Sequence, residues 1–255
     1  MGMANRNRMI LTAAAMAVVP CLAQAAAFLN TTGTYNTAAN WSPATVPTGI
    51  DAVAGGKTAS SSAATVTLDI SPTVGSISTS ASNSTWTLAN GGTNSITMDT
   101  TGDHTTAATI SAAGRNSIVI GASGTPVNIT INDHLTITKT MSTASESREV
   151  AIFGTISGTG NINISNTVTA GTGNISVGNL NNTGTVIIGN AVSGTAGTVT
   201  INGIGANVTA PNATGSGANT LALNNTVYTL GGTSSLQAGT LTLGNGSVIT
   251  ATAGG

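Results

Sequence analysis

The sequence predicts an all-β fold, a solenoid of short stacked strands with a cap at its N-terminal end. Three observations predict it. From Ala64 onward, apolar and small polar residues alternate in short runs such as Ala64-Thr-Val-Thr-Leu-Asp-Ile70 and Val127-Asn-Ile-Thr-Ile131, and period two marks a strand with one buried face. Gly, Asn and Ser clusters such as Gly91-Gly92 and Ser157-Gly158-Thr159-Gly160 punctuate the runs as turns. Finally, only 2% of residues are aromatic and 5% charged, against a usual charged share of roughly 25%. Sandwiches and barrels of this length need layers of large side chains, whereas a solenoid coil needs only a thin core and pairs each strand with the coils above and below.

The elements follow in order. Residues 1–27 read as an export signal: Arg6 and Arg8 supply the positive start, Met9–Val19 the apolar stretch, and Ala23-Gln24-Ala25 an A-x-A cleavage site, with the cut expected near Ala25 or Ala27. The apolar stretch is shorter than the roughly 20 residues of a membrane span, and no later stretch approaches that length, so no integral membrane segment is expected in the mature chain. The single cysteine, Cys21, lies inside this segment and follows Pro20 where a lipid anchor wants a small residue; cleavage removes it, so disulfides are not expected to hold the mature chain.

Residues 28–63 carry three of the six aromatics, Phe28, Tyr35 and Trp41, with Asn40-Trp41-Ser42-Pro43 and Val46-Pro47 marking turns. An open solenoid end exposes unpaired strand edges, so this segment is expected to be a cap with Trp41 in its core. Residues 64–255 are then the solenoid. The pairs Thr136/Thr138, Thr167/Thr169 and Thr198/Thr200 recur every 31 positions and supply a weak period.

Composition also limits function. Beyond the first eight residues the only cations are Lys57, Arg115, Lys139 and Arg148, too few to neutralise phosphates, so nucleic acid is excluded as a partner. Mean hydropathy is positive and the formal net charge is −1, which argues for burial over disorder.

Several residues invite chemistry and find a simpler reading. Asp103-His104 and Asp133-His134 would offer two imidazoles and two carboxylates to a metal if the coils stacked them, but zinc and calcium spacing motifs are absent and turn dipeptides account for them. Asp51, Asp69, Asp99, Asp103, Asp133, Glu146 and Glu149 form the pool for a glycosidase or lyase, yet nothing nominates the fixed pair such chemistry needs. Glu146-Ser147-Arg148-Glu149 reads as a solvated charge cluster on a loop. No Gly-x-Ser-x-Gly elbow accompanies His104 or His134. Asn161, Asn163, Asn174, Asn181, Asn182 and Asn190 are expected to stack as an amide ladder, and the Thr-x-Thr pairs Thr65/Thr67, Thr85/Thr87 and Thr240/Thr242 break the constant spacing an ice-binding face requires. No catalytic, metal or cofactor residue is assigned.

Two stretches carry a family resemblance. Ala38-Ala39-Asn40-Trp41-Ser42-Pro43, with Val46-Pro47-Thr48-Gly49 and Asp51-Ala52-Val53, resembles the opening of passenger regions in autotransporter-like bacterial surface proteins. Arg148-Glu149-Val150-Ala151-Ile152, Gly154 and Ile156-Ser157-Gly158-Thr159-Gly160-Asn161-Ile162 is similar to the autotransporter-associated β-strand repeat. The resemblance covers about half of the chain and implies a right-handed parallel β-helix, exported and displayed at or beyond the outer membrane of a Gram-negative bacterium. The aromatic-girdled strands of a translocator barrel are missing up to Gly255, so the native chain is expected to continue past it or to reach the surface by another route. The expected function is therefore a non-enzymatic, adhesin-type surface segment meeting host or surface glycans or proteins. The alternative is a carbohydrate-active β-helix, a glycosidase or lyase.

Overall fold

A computed structural model describes residues 25–56, 63–79, 84–100, 106–141, 147–168 and 172–182, and beyond these the backbone of strands Val186–Gly189, Thr198–Ile204, Thr220–Leu223, Val227–Leu230, Thr240–Leu243 and Val248–Ala251. The export signal up to Gln24 lies outside the described residues, as do Lys57, Asp103, His104, Glu146 and Asn190.

Alternating sequence makes the strands, and parallel pairing makes the stack. One turn of chain runs through Ala108–Ala113, Ser117–Ile120 and Asn128–Ile131, after which Leu135–Met141 returns to pair in parallel with Ala108–Ala113. The described coils thus have three faces, in a solenoid-like all-β architecture. On the first face, Ala54, Ile77, Ile110, Ile137 and Ile164 stand in register, each buried. The second face stacks Val66, Leu88, Ile120, Ile152 and Val177, and the backbone register continues through Ile201, Leu223 and Leu243. Ile96, Ile129, Ile156 and Leu180 form the third. These columns are the thin core; each wholly buried aliphatic side chain contributes about 1.5–3 kcal/mol relative to exposure.

Strands are not all short. Ser147–Gly158 covers two faces in one run, with its register shifting between Ile152 and Thr155 where the chain turns the corner. Of the expected loop cluster Glu146-Ser147-Arg148-Glu149, the three described residues lie in this strand and not in a loop. Ser147, Arg148 and Glu149 pair with Thr172, Gly173 and Asn174, because the parallel ladder captures the backbone whatever charges it carries.

Coils also differ in length. Ile77 to Ile110 is a step of 33 positions and Leu221 to Leu241 one of 20, since loops of different size join the faces. The 31-position threonine spacing is not the coil step: Thr136 pairs with Asn163 and Thr138 with Ser165, while Thr167 pairs with Thr140. Threonine is common enough in strands to recur without marking a repeat.

The N-terminal segment joins the same ladders. Thr32–Thr34 pairs with Ala64–Leu68 and Val53–Gly55 with Ser76–Thr79, so parallel stacking already operates before Ala64. Ala26–Phe28 pairs in parallel with Val53–Gly55 and, on its other side, antiparallel with Trp41–Ser42. Trp41 is buried between two rings, 5.3 Å from Phe28 and 5.0 Å from Tyr35, both edge-on. Its indole N–H donates to the Tyr35 carbonyl at 2.8 Å, and the Tyr35 hydroxyl donates to the Pro47 carbonyl at 2.6 Å. Trp86 is another large buried ring; small neighbours make room for it, Ala64 in register on one side and Gly56 against its ring.

Candidate functional site

Acids of the enzyme pool sit mostly at the corners, where backbone groups leave the ladder and need partners. The Asp133 carboxylate is buried and accepts from the backbone N–H of Thr100 at 2.8 Å, one coil below; the Thr100 hydroxyl lies 3.0 Å from the carboxylate and 2.6 Å from the Thr106 carbonyl, sharing its one proton between them. Asp99 accepts from the Asn132 amide at 2.8 Å, and Asp69 from the backbone N–H of Asn36 at 2.9 Å. Each of these carboxylates ties one coil to another. Asp51 lies beside Asp99 through its backbone, its N–H donating to the Asp99 carbonyl at 3.3 Å. It takes a left-handed φ of 63° over Gly75, where a side chain would crowd the Asp51 backbone.

His134 turns away from its neighbour. Its Nδ1 accepts from the backbone N–H of Asn161 at 3.0 Å in the coil above, while Asp133 reaches down to Thr100. Asp133-His134 therefore works as a two-way coil clamp. Its proposed partner dipeptide, Asp103-His104, lies outside the described residues, and among those residues no three His, Cys, Asp or Glu gather in a group.

Among the described residues, the asparagines expected to stack do not share one column. Asn163 stands in a strand opposite Thr136, Asn174 opposite Glu149, and Asn181 opposite Ser157, on different faces of the coil. Asparagine side chains instead bond the backbone of adjacent coils: Asn182 donates to the Gly160 carbonyl at 3.1 Å, Asn94 to that of Leu68 at 2.6 Å, and Asn90 to that of Pro126 at 2.7 Å. A side-chain amide fits these corners because it can donate to a carbonyl at a strand end, whose second lone pair is open even where, as at Leu68, a backbone N–H also reaches it.

Lys139 is a structural feature that sequence reasoning passed over. Its ammonium is fully buried and donates to the carbonyls of Gly114 at 2.7 Å and Asn116 at 2.9 Å, in the coil before. Burial, and then the charge of Arg148, pushes its pKa down to about 8. The signal was in the alternation: Leu135, Ile137 and Lys139 share the inward face of one strand. With no solvent-exposed surface the amine cannot meet a substrate, so its chemistry is that of a corner clamp. Burial likewise pushes the Tyr35 phenol well above its ordinary value.

Among the described residues, two surface cavities are lined by neither an acid nor a histidine. One of about 350 Å³ lies beside Ala25–Ala27, Ser42 and Ser78. The other, of about 330 Å³, opens at the corner between the second and third faces, with Asn128, Phe153, Thr155 and Asn179 around a floor of Gly154 and Gly178. Phe153 is 44% exposed there, one of three large apolar side chains that face solvent among the described residues. No described helix is long and apolar enough to cross a membrane.

No protein-family model matches the chain, and neither the curated proteins nor the solved structures give a significant match.

Proposed function

We propose that the chain is an exported, non-catalytic surface segment, a right-handed β-helix that builds length and presents its corners to glycans or proteins outside a Gram-negative cell. The observation that carries this reading is the use made of the acids. Asp69, Asp99 and Asp133 each spend a carboxylate oxygen on a hydrogen bond to another coil, which is work for a scaffold. A glycosidase or lyase needs two carboxylates facing a substrate across a cleft, whereas Asp51 and Asp99 meet at a corner through their backbones.

Export rests on the leader pattern, and display on the resemblance to autotransporter passenger regions. The segment from Phe28 is the N-terminal cap of this stack. Its short antiparallel strand Trp41–Ser42 covers the outer edge of the first face, which would otherwise offer free backbone groups to another chain. The leader ends at Ala25. Cleavage there leaves strand Ala26–Phe28 whole, with Ala26 buried against the first face, whereas a cut after Ala27 would remove two of its three residues.

Expression of the whole chain in a Gram-negative host tests the reading. The expected result is a processed chain that protease added to intact cells can digest. Retention of the unprocessed chain in the cytoplasm would overturn it.

A further inference from the structure

We infer that the corner notch around Phe153 is a subsite for a neutral glycan chain; this rests on the reading of the chain as a displayed surface segment and names the chemistry of its partner. The notch arises from the register shift between Ile152 and Thr155, which throws Phe153 outward, and from the two glycines that replace side chains on its floor. Neither glycine is free to change: a Cβ on Gly154 would strike the Val127 carbonyl, and one on Gly178 would come within 2.5 Å of the Gly154 carbonyl.

The walls are fixed before any ligand arrives. Below, the Asn90 amide holds the Pro126 carbonyl at 2.7 Å, and Ala122 and Thr125 exchange backbone hydrogen bonds at 3.1 Å. Asn128 accepts from the backbone N–H of Thr155 at 3.0 Å through its oxygen, which leaves its NH₂ group to donate outward. Thr155 stands in register with Asn179, whose exposed amide completes an outward line of hydroxyl and amide groups beside the ring.

Ligand chemistry follows from what lines the notch. Every lining residue is uncharged, so it offers no counter-charge to an anionic ligand and no partner to a cationic one. The sheet beside it has its backbone groups paired on both sides, at Asn128–Ile131 and at Thr172–Asn182, so a peptide cannot add as a strand. A single ring offers far less apolar surface than the roughly 800 Å² per partner of a protein interface. A sugar ring fits all three conditions: one apolar C–H face for Phe153 and a rim of neutral hydroxyls for Asn128, Thr155 and Asn179. The cavity lies at the small end of the roughly 300–1,000 Å³ range of ligand sites, suited to one or two sugar units of a longer chain.

The chain has two phenylalanines, and Phe28 is wholly buried, so ring-labelled phenylalanine gives one reporter in the notch and one internal control. Cellohexaose, maltohexaose, chitohexaose and mannohexaose are titrated into the purified mature protein to about millimolar concentration, with an alginate hexamer alongside. The expected result is that at least one neutral oligosaccharide shifts the Phe153 signal and leaves that of Phe28 in place, with the alginate hexamer inert. Phe153→Ala and Asn179→Ala, both at exposed positions, are each expected to weaken that binding roughly tenfold, measured by calorimetry, with an unchanged circular dichroism spectrum. The inference is overturned if none of the neutral oligosaccharides shifts Phe153, if alginate shifts it as much, or if both variants bind as the parent does. The assay uses purified protein, so its failure would leave export and display standing, and failure of the cell-surface test would leave the notch chemistry standing.

Discussion

Raising the pH from 8 to 10 should stabilise this protein, and Lys139 should be the cause. Its pKa in the folded chain is pushed down to about 8 from the ordinary 10.5 by burial and by Arg148. Below pH 8 both the folded and unfolded chains hold the proton, and the buried charge costs a constant amount. Between pH 8 and 10.5 the unfolded chain still holds a proton that the folded chain has released, so stability rises with pH. The full difference corresponds to about 3 kcal/mol; the Gly114 carbonyl that the ammonium meets belongs to a part-buried residue, so a screened share of about 1–2 kcal/mol is expected by pH 10. Above pH 10 the buried Tyr35 phenol acts in the opposite sense, because the unfolded chain ionises there while the folded chain resists, and the rise should end. Thermal midpoints followed by circular dichroism at pH 7, 8, 9 and 10 should climb by about 3–6 °C, at roughly 2–4 °C per kcal/mol for a chain of this size. Lys139→Met removes the titrating group and should flatten the profile, whatever it does to the midpoint at pH 7. A wild-type midpoint that is level or falling between pH 8 and 9.5, or a Lys139→Met profile that climbs equally, would refute the reasoning.

Three further outcomes are expected. Asp133→Ala, which strips the Thr100 backbone N–H of its acceptor, should cost about 2 kcal/mol in chemical denaturation, whereas Asp133→Asn keeps an acceptor oxygen and should cost less than about 1 kcal/mol; equal losses would deny the clamp. Gly160→Ala puts a methyl group into the Asp133 carbonyl and should cost about 2–3 kcal/mol, while Gly124→Ala meets nothing within 4 Å and should stay within about 0.5 kcal/mol, a contrast that the same denaturation curves would show. Mass spectrometry of the exported chain should find Ala26 as the first residue, and a start at Phe28 would contradict the placement of the leader boundary.

Alternation was legible along the chain because one face of each strand meets a dry core. Val66, Ile110 and Ile129 are buried where period two places them, and Trp41 is buried as its setting among aromatics and turns implied. Coil length was not legible. It depends on loops such as Gly121–Val127 that widen one turn and not the next, so no fixed spacing marks it and the threonine interval misled. Charge misled in a second way: Arg148 and Glu149 looked like a loop, but the parallel ladder binds backbone and is indifferent to which side chains point outward. Lys139 was readable from parity alone, two positions after Ile137, had a lysine been allowed an inward place. The notch at Phe153 was beyond reach, since it requires knowing that Gly154 and Gly178 meet across a corner.

The account stands most directly on the stacking of distant segments in parallel register. Ser76, Thr109, Thr136 and Asn163 occupy one outward column of the first face, one coil apart at each step. Spin labels at Ser76 and Asn163 span three coil steps, so their backbone attachment points should lie about 14 Å apart at roughly 4.8 Å per step, close enough for dipolar broadening in continuous-wave spectra. Strong broadening for this pair, and its growth when the second label moves down the column to Thr136, is the predicted result. Spectra equal to the sum of the two single-label spectra would contradict the coil stack and with it the scaffold role of its corner acids.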